Sequence, residues 1–404
     1  MITSRGKIIG LLSLAFLLRA GYGISLPKAL ILPDAGSFDT IAWNVASVGR
    51  YASLEGPTSY RTPPYVFFLA LIYKMGGHHY LLARLAQALM GTALVWLLMR
   101  IACQLRWSGE TRWMVGGIAA VYPFFVYYEN QLIADAFITF WLVGSLSLTL
   151  YWKRHFSSGW RAASCAFAYS IVNLAKGIFA PIFFSILAME FIFSLRERDR
   201  VRRWKAMGFA LLIFTIFPFL WALRNKCVLG RFCIDTHGGR TAAITIIFHD
   251  ALKSGSVDAI FVQHPMRKAA DLLNEADQDA YYFAQVKQYI AHNPRLYAMQ
   301  SLNRLKDLWR FYPRQDIEFR ENRKLLTVVS LVTEPFLILA GFFGLWKERG
   351  RWRELYPFYA AILFTTASYA LVTGQMRYRL PLMPIMILFA SYAVFSSKNR
   401  TPDH

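Results

Sequence analysis

The chain has 404 residues, of which 56% are hydrophobic, with 12 Trp, 21 Tyr and 32 Phe. So apolar and aromatic a composition excludes intrinsic disorder and marks a polytopic membrane protein. The formal charge is +21, but the basic residues cluster between apolar segments rather than along one soluble face, so no nucleic-acid partner is implied.

A spanning helix needs roughly 20 mostly apolar residues. In chain order, ten segments qualify, near 8–26, 80–101, 113–128, 131–152, 160–176, 178–195, 206–224, 325–346, 355–373 and 380–397. The first contains Arg19 and no small-residue cleavage site, so it reads as a span and not as a cleaved signal. After it comes "PDAGSFDTIAWNVASVGRY". Asp39 there reads as the N-cap of a helix over "DTIAWNVASV". Asp34, in the "LPDAGSF" ahead of that helix, has less structural excuse. The run "PPYVFFLALIYKM" at 63–75 is too short to span; its two leading prolines suit the first turn of an interfacial or re-entrant helix.

Loop charge orients the spans, because cytoplasmic loops carry the excess of Lys and Arg. One set of alternate loops and ends, at Arg5/Lys7, 100–112, 153–161, 196–205, 347–354 and Lys398/Arg400, holds twenty basic residues. The short loops of the other side hold three, Lys176, Arg377 and Arg379. Both termini are therefore expected in the cytoplasm, with two long outer loops at 27–79 and 225–324. The second is amphipathic: Tyr289, Ile290, Leu296, Met299, Leu302, Leu305 and Leu308 recur at near-helical intervals broken by Pro294, which predicts helices along the membrane surface. The expected organisation is an N-terminal membrane module (1–224), an outer helical region (225–324) and C-terminal spans (325–404). The fold class is an all-α polytopic membrane protein of about ten transmembrane helices with outer-face juxtamembrane helices.

Cys103 and Cys165 read as small core residues, and Cys227 and Cys233 lie outside, where a disulfide is allowed but not demanded. No CxxC pair or His/Cys spacing marks a zinc site.

With orientation set by loop charge alone, the costly polar residues converge on the outer face. They are Asp34, Asp39, Arg61, Glu129, Asp135, Lys176, Arg224, Asn225, His237, Arg377 and Arg379. Ionisable groups at membrane depth are expensive and mark function. Each also has a plain structural reading: snorkelling anchors for the arginines, helix capping for Glu129 and Asp135, a turn for Lys176, a backbone hydrogen bond for His237. As a set they suit attack by a hydroxyl on a centre with an anionic leaving group. A carboxylate takes the hydroxyl proton, and arginines and lysines offset the charge on a departing phosphate. A phosphate at the interface points to a lipid-linked donor.

Five stretches, in order, resemble the GT-C glycosyltransferases of the bacterial dolichyl-phosphate-mannose protein mannosyltransferase and aminoarabinose transferase type. They are "PDAGSFDTIAWNVASVGRY", "YRTPPYVFFLALIY", "YPFFVYYENQLIADAF", "LRNKCVLGRFCIDTHGGR" and "MRYRLPLMP". The resemblance implies inverting transfer of a sugar from a polyprenyl-phosphate donor to a glycan, lipid or protein acceptor. It places the active site on the extracytoplasmic face of the bacterial inner membrane. It makes Asp34 the general base and Asp135 the second acid of the cavity, although the family's segment normally carries Glu at that place. Arg61 would contact the lipid phosphate, with Arg224, Arg377, Arg379 and Lys176 as further phosphate-binding candidates, while Asp39, Glu129, Asn225 and His237 would line the cavity. Some relatives hold a divalent metal; here Tyr60 stands where the aminoarabinose enzyme has an acid, so no metal ligand is assigned.

Two other classes fit the apolar frame. A transporter or flippase of lipid-linked glycans needs charges spread through the membrane depth, and a surface-glycan ligase or polymerase needs no acid in its first outer loop.

Overall fold

The computed structural model describes residues 4–154, 158–253, 257–313 and 323–395, so the basic pair Lys398/Arg400 lies outside the described residues. The chain is built from helices, with one two-stranded antiparallel ribbon, β1 (Ala52–Ser53) and β2 (Gly56–Pro57), in the first long loop. Its first half runs through α1 (Ser4–Ser25), α2 (Pro33–Val48), α3 (Pro63–Gly76), α4 (Tyr80–Gln104), α5 (Gly109–Val121), α6 (Pro123–Tyr128), α7 (Ala134–Lys153), α8 (Gly159–Ala175) and α9 (Ala180–Ser194). Then come the long α10 (Arg200–Leu229) and short α11 (Gly238–Ala242), α12 (His249–Lys253), α13 (Val257–Gln263) and α14 (Pro265–Ala270). The chain continues through α15 (Glu275–His292), α16 (Pro294–Leu308), α17 (Arg323–Lys347), α18 (Trp352–Val372) and α19 (Met383–Phe395).

Among the described residues, eight helical segments are long and apolar enough to cross a membrane: Arg5–Ser25, Tyr80–Gln104, Ala134–Lys153, Gly177–Ser194, Arg200–Leu229, Lys324–Lys347, Arg349–Val372 and Met376–Phe395. The other two expected spans are helical but short. Pro123, which has no N–H to donate and a ring that clashes with the preceding turn, separates α5 from α6. Helix α8 stops after 17 residues, before Lys176 and a 3₁₀ turn at Gly177–Phe179.

The expected short helix after the prolines is α3, with Pro in its first turn. The helix before it differs from expectation. It begins at Pro33, not at Asp39, because Pro33 supplies the preset φ of a first helical residue and removes an N–H that would have no partner there. Asp39 is therefore not a cap. It lies buried inside α2, where its carboxylate accepts from the Tyr73 hydroxyl at 2.7 Å and the Tyr80 hydroxyl at 3.2 Å and meets His78 Nε2 at 2.8 Å. It pins α2 to both ends of the α3–α4 connection. Asp34 instead occupies the first turn of α2, where the helix dipole favours a carboxylate.

The bundle is closed by α17 against α19, α10 against α8, α7 against α8 and α4, and α1 against α4. A Cβ at Gly344 of α17 would collide with the Phe389 carbonyl oxygen of α19, and one at Gly341 would meet the Met386 backbone at 3.0 Å. These two small residues let the helices approach backbone to backbone, which in a bilayer supplies the packing that a hydrophobic effect between helices cannot. Two of the buried arginines are paired with buried carboxylates. Arg19 binds Glu129 and donates to the carbonyls of Ala15, Ala119 and Ala120. Arg379 binds Glu334 at 2.5 Å, and Glu334 also accepts from the Tyr122 hydroxyl.

The loops grouped by their Lys and Arg content meet at one end of the bundle: Lys153 donates to the Arg353 carbonyl at 2.6 Å and Arg351 to that of Leu105 at 3.1 Å. At the other end, α11 to α15 enclose a small core around Tyr282, Phe248, Phe261 and Met266. Helix α16 lies across α18, Arg304 donating to the carbonyls of Ala370 and Thr245. The buried side of α16 is Gln300, Arg304 and Leu308, whereas Leu296, Met299 and Leu302 of the expected apolar stripe face outward. All four cysteines, Cys227 and Cys233 included, are free thiols.

Candidate active site

Three separate parts of the chain meet around Asp34. Its Oδ1 accepts from Arg61 Nη2 at 2.8 Å, and its Oδ2 accepts from Arg377 Nη2 at 3.0 Å. The Nε of Arg377 lies 3.9 Å from Asp135 Oδ2, in the first turn of α7. Two carboxylates and two guanidiniums thus alternate, contributed by α2, the loop before α3, the start of α7 and the 3₁₀ turn Met376–Leu382. Lys176 adds a third cation: its ammonium lies over the rings of Tyr378 at 4.3 Å and Tyr369 at 5.2 Å, which are stacked on each other.

The guanidinium of Arg61 is held from several sides. Its Nε donates to the Ser37 hydroxyl at 2.7 Å, one helical turn after Asp34, and its plane lies 4.6 Å from the Phe38 ring and 5.1 Å from that of Tyr60. The segment that carries it is tied down by Glu275, which accepts from the Thr58 hydroxyl at 2.6 Å and the Ser59 N–H at 2.8 Å.

Arg224 and Asn225 belong to this support and not to the cluster. Arg224 donates to the carbonyls of Thr58 at 2.9 Å and Tyr51 at 3.0 Å, and Tyr51 in turn donates to the Arg61 carbonyl at 2.7 Å. Asn225, fully buried, donates to the Ser59 hydroxyl and the Cys233 carbonyl, each at 2.8 Å. His237 packs edge-on against Tyr60 with ring centres 4.5 Å apart, and its Nδ1 is buried without a hydrogen-bond partner. Burial, then the neighbouring Arg61, pushes the His237 imidazole down to about 3, so it is neutral at physiological pH.

The structure does not bring Arg379, Glu129 or Asp39 into this cluster. Arg379 is a correction to the sequence reading: only two residues from Arg377, it turns into the core, where Glu334 and the carbonyls of Leu308 and Arg310 occupy it. Glu129 is likewise spent on Arg19, deep in the bundle. Sequence reasoning missed Ser37, Glu275 and Tyr378. Ser37 carried a usable signal, its spacing of three from Asp34 on a helix; Glu275, in the first turn of α15, carried none.

Electrostatics follow from this packing. Partial burial raises the Asp34 carboxyl, but the charges of Arg377 and then Arg61, with their hydrogen bonds, more than offset it and hold it well below the ordinary carboxylate range. Burial lowers the Lys176 ammonium to about 8, against the opposing charge of Asp135. Among the described residues, no three His, Cys, Asp or Glu side chains converge as a metal-binding set.

A helical membrane protein with an Asp/Arg/Lys cluster at one end of its bundle is the class that fold and site define. The fold is the GT-C fold seen in the crystal structure of ArnT from Cupriavidus metallidurans bound to undecaprenyl phosphate, an aminoarabinose transferase, with a TM-score of 0.56 at 14% identity over 99% of this chain. The apo form of the same ArnT aligns with a TM-score of 0.46 at 15% identity, over 96% of this chain and 77% of that one. The chain spans 61% of the length of the lipid-bound ArnT. No family model and no curated protein matches the sequence.

Proposed function

We propose that the protein is an inverting glycosyltransferase that moves a sugar from a polyprenyl-phosphate donor to an acceptor hydroxyl on the extracytoplasmic face of a bacterial inner membrane. The observation that carries this reading is the Asp34 carboxylate held by two arginines from opposite ends of the chain. The fold supports it, and the undecaprenyl phosphate carried by the similar ArnT supports a lipid of that class as donor carrier.

In the reaction, an Asp34 oxygen accepts the acceptor proton as the acceptor oxygen attacks the anomeric carbon. The carbon–oxygen bond to phosphate breaks with its electron pair on the phosphate. Arg61 and Arg377 offset the charge left there, and Lys176 adds a third cation. Asp135 orients Arg377 and presents its free oxygen to the sugar or acceptor.

As it stands, Asp34 is a poor base, since both its oxygens accept from guanidiniums and its pKa is depressed. A phosphate competes for the same donors. Once Arg61 and Arg377 turn to it, Asp34 loses the charges that lowered its pKa and gains a free lone pair. Donor binding thus prepares the base, and the acceptor is not activated before a donor is in place.

The test is mass spectrometry of cell-surface glycans and glycolipids from a deletion strain complemented with wild type or with Asp34→Asn. The expected result is loss of one sugar modification on deletion, its return with wild type and its absence with the variant. Return of the modification with Asp34→Asn at wild-type level rejects Asp34 as the base.

A further inference from the structure

At the end of the bundle opposite Asp34 lies a cavity of about 650 Å³ that sugar transfer does not use. Asp135 and Lys153 mark the two ends of α7, about 27 Å apart at the rise of an α-helix. The α4–α5 turn, the end of α7 and the α17–α18 turn line the cavity, with Leu105 and Leu150 as buried apolar walls.

Five cations face it: Arg106, Lys153, Arg154, Arg351 and Arg353. Two are already compensated. Arg351 is clamped by Glu348 at 3.0 Å and Glu354 at 2.6 Å, and Lys153 pairs with Glu190 at 3.4 Å. Arg106, Arg154 and Arg353 have no carboxylate partner among the described residues. Arg154 donates to the Gln104 carbonyl, and Arg353 packs against the rings of Phe193 and Trp352. An excess of basic residues at this end is what orients a membrane protein. That rule does not require them to converge on a concave space, nor leave three of its guanidiniums unpaired when Glu348 and Glu354, which also line it, both bind Arg351.

A second, independent feature concerns Arg106. It has φ = 59°, the one non-glycine residue with positive φ among the described residues. The Trp107 N–H bonds the Ala102 carbonyl and the Arg106 N–H that of Cys103, each at 3.0 Å, which is the Schellman ending of α4 with arginine where glycine is favoured. A side chain there costs backbone energy that glycine would not. The fold carries that cost while keeping an arginine at the rim of the cavity.

We infer that this cavity is a phosphate-binding site for an anionic ligand, either the headgroup of an acidic phospholipid or a soluble phosphate compound, held by Arg106, Arg154 and Arg353. Basic pockets between membrane helices bind such headgroups, and guanidiniums suit phosphate through paired hydrogen bonds. The site stands independently of the sugar-transfer reading.

The variant Arg106→Gly removes the charge and relieves the backbone, so a loss of binding cannot be laid to misfolding. Arg353→Gln removes a second cation without touching α4, and Lys205→Gln, at the same end on α10, serves as the control. Full-length protein is purified from bilayers containing phosphatidylglycerol, and lipid retained through detergent washing is measured by native mass spectrometry. Pyrophosphate binding to delipidated protein is measured by calorimetry in parallel. The expected result is about fivefold weaker binding for each arginine removed, with the control unchanged. A loss confined to phosphatidylglycerol identifies a lipid headgroup, and a loss confined to pyrophosphate identifies a soluble ligand. Equal binding of both probes by wild type, Arg106→Gly and Arg353→Gln overturns the assignment, as does an equal loss in Lys205→Gln.

Discussion

Asp34 and Arg377, 343 positions apart in the chain, are joined by a 3.0 Å hydrogen bond that closes the first long loop onto the segment between the last two spans. On the proposed mechanism, the bond holds the base and a phosphate-binding arginine together until the donor phosphate separates them.

Asp34→Asn therefore separates the two roles. Losing a general base costs about 10²- to 10⁴-fold in rate. The same change frees Arg61 and Arg377 of a competing anion, so the KM for the donor is expected to stay level or fall. Steady-state kinetics with varied donor reads both, and a raised donor KM at unchanged kcat contradicts the assignment.

Lys176 is expected to give the proposed donor step a pH limb. Its ammonium, lowered by burial to about 8, is charged below that pH and loses its proton as pH rises through it. At limiting donor, the wild-type rate is expected to fall across that interval. Lys176→Arg, whose guanidinium stays protonated, should remove the limb, and Lys176→Gln should be slow and flat. A wild-type limb that persists in Lys176→Arg assigns it to another group.

Arg377 and Arg379 are two residues apart and do different work. Glu334→Leu leaves Arg379 buried without its counter-ion, a change that costs about 3–5 kcal/mol. It is expected to lower the melting temperature in detergent while donor KM in the folded fraction stays unchanged. A shift in donor KM without destabilisation would place the Arg379–Glu334 pair in the site.

The seam between α17 and α19 has no room at Gly344. Gly344→Val is expected to destabilise by about 1–3 kcal/mol through overpacking, read as a lowered melting temperature. Gly350→Val, where a Cβ meets nothing within 4 Å, should melt close to wild type.

Much of this was legible in the sequence, and for identifiable reasons. Apolar runs of bilayer length are imposed by the solvent, so eight of the ten expected spans and the end-to-end grouping of basic loops could be read without contacts. Asp34, Arg61, Asp135, Lys176 and Arg377 could be picked out because ionisable groups at the membrane edge are rare. What failed was anything set by side-chain direction. Arg379 shares a short segment with Arg377, and only the 3₁₀ turn beneath them sends one inward to Glu334. Asp39 looked like a cap because capping is local, whereas its real partners, Tyr73, His78 and Tyr80, belong to α3, the turn after it and the start of α4. The role of Glu275 as an anchor for the Arg61 loop required a contact across 216 residues, which no local pattern carries.

In the proposed reaction one phosphate displaces Asp34 from both arginines. This displacement is tested most directly by the affinity of purified protein for undecaprenyl phosphate, measured for wild type, Asp34→Asn, Arg61→Gln and Arg377→Gln. Weaker binding is expected of both arginine variants, and binding by Asp34→Asn that equals or exceeds wild type. Undiminished binding by the arginine variants, or lost binding by a folded Asp34→Asn, would contradict it.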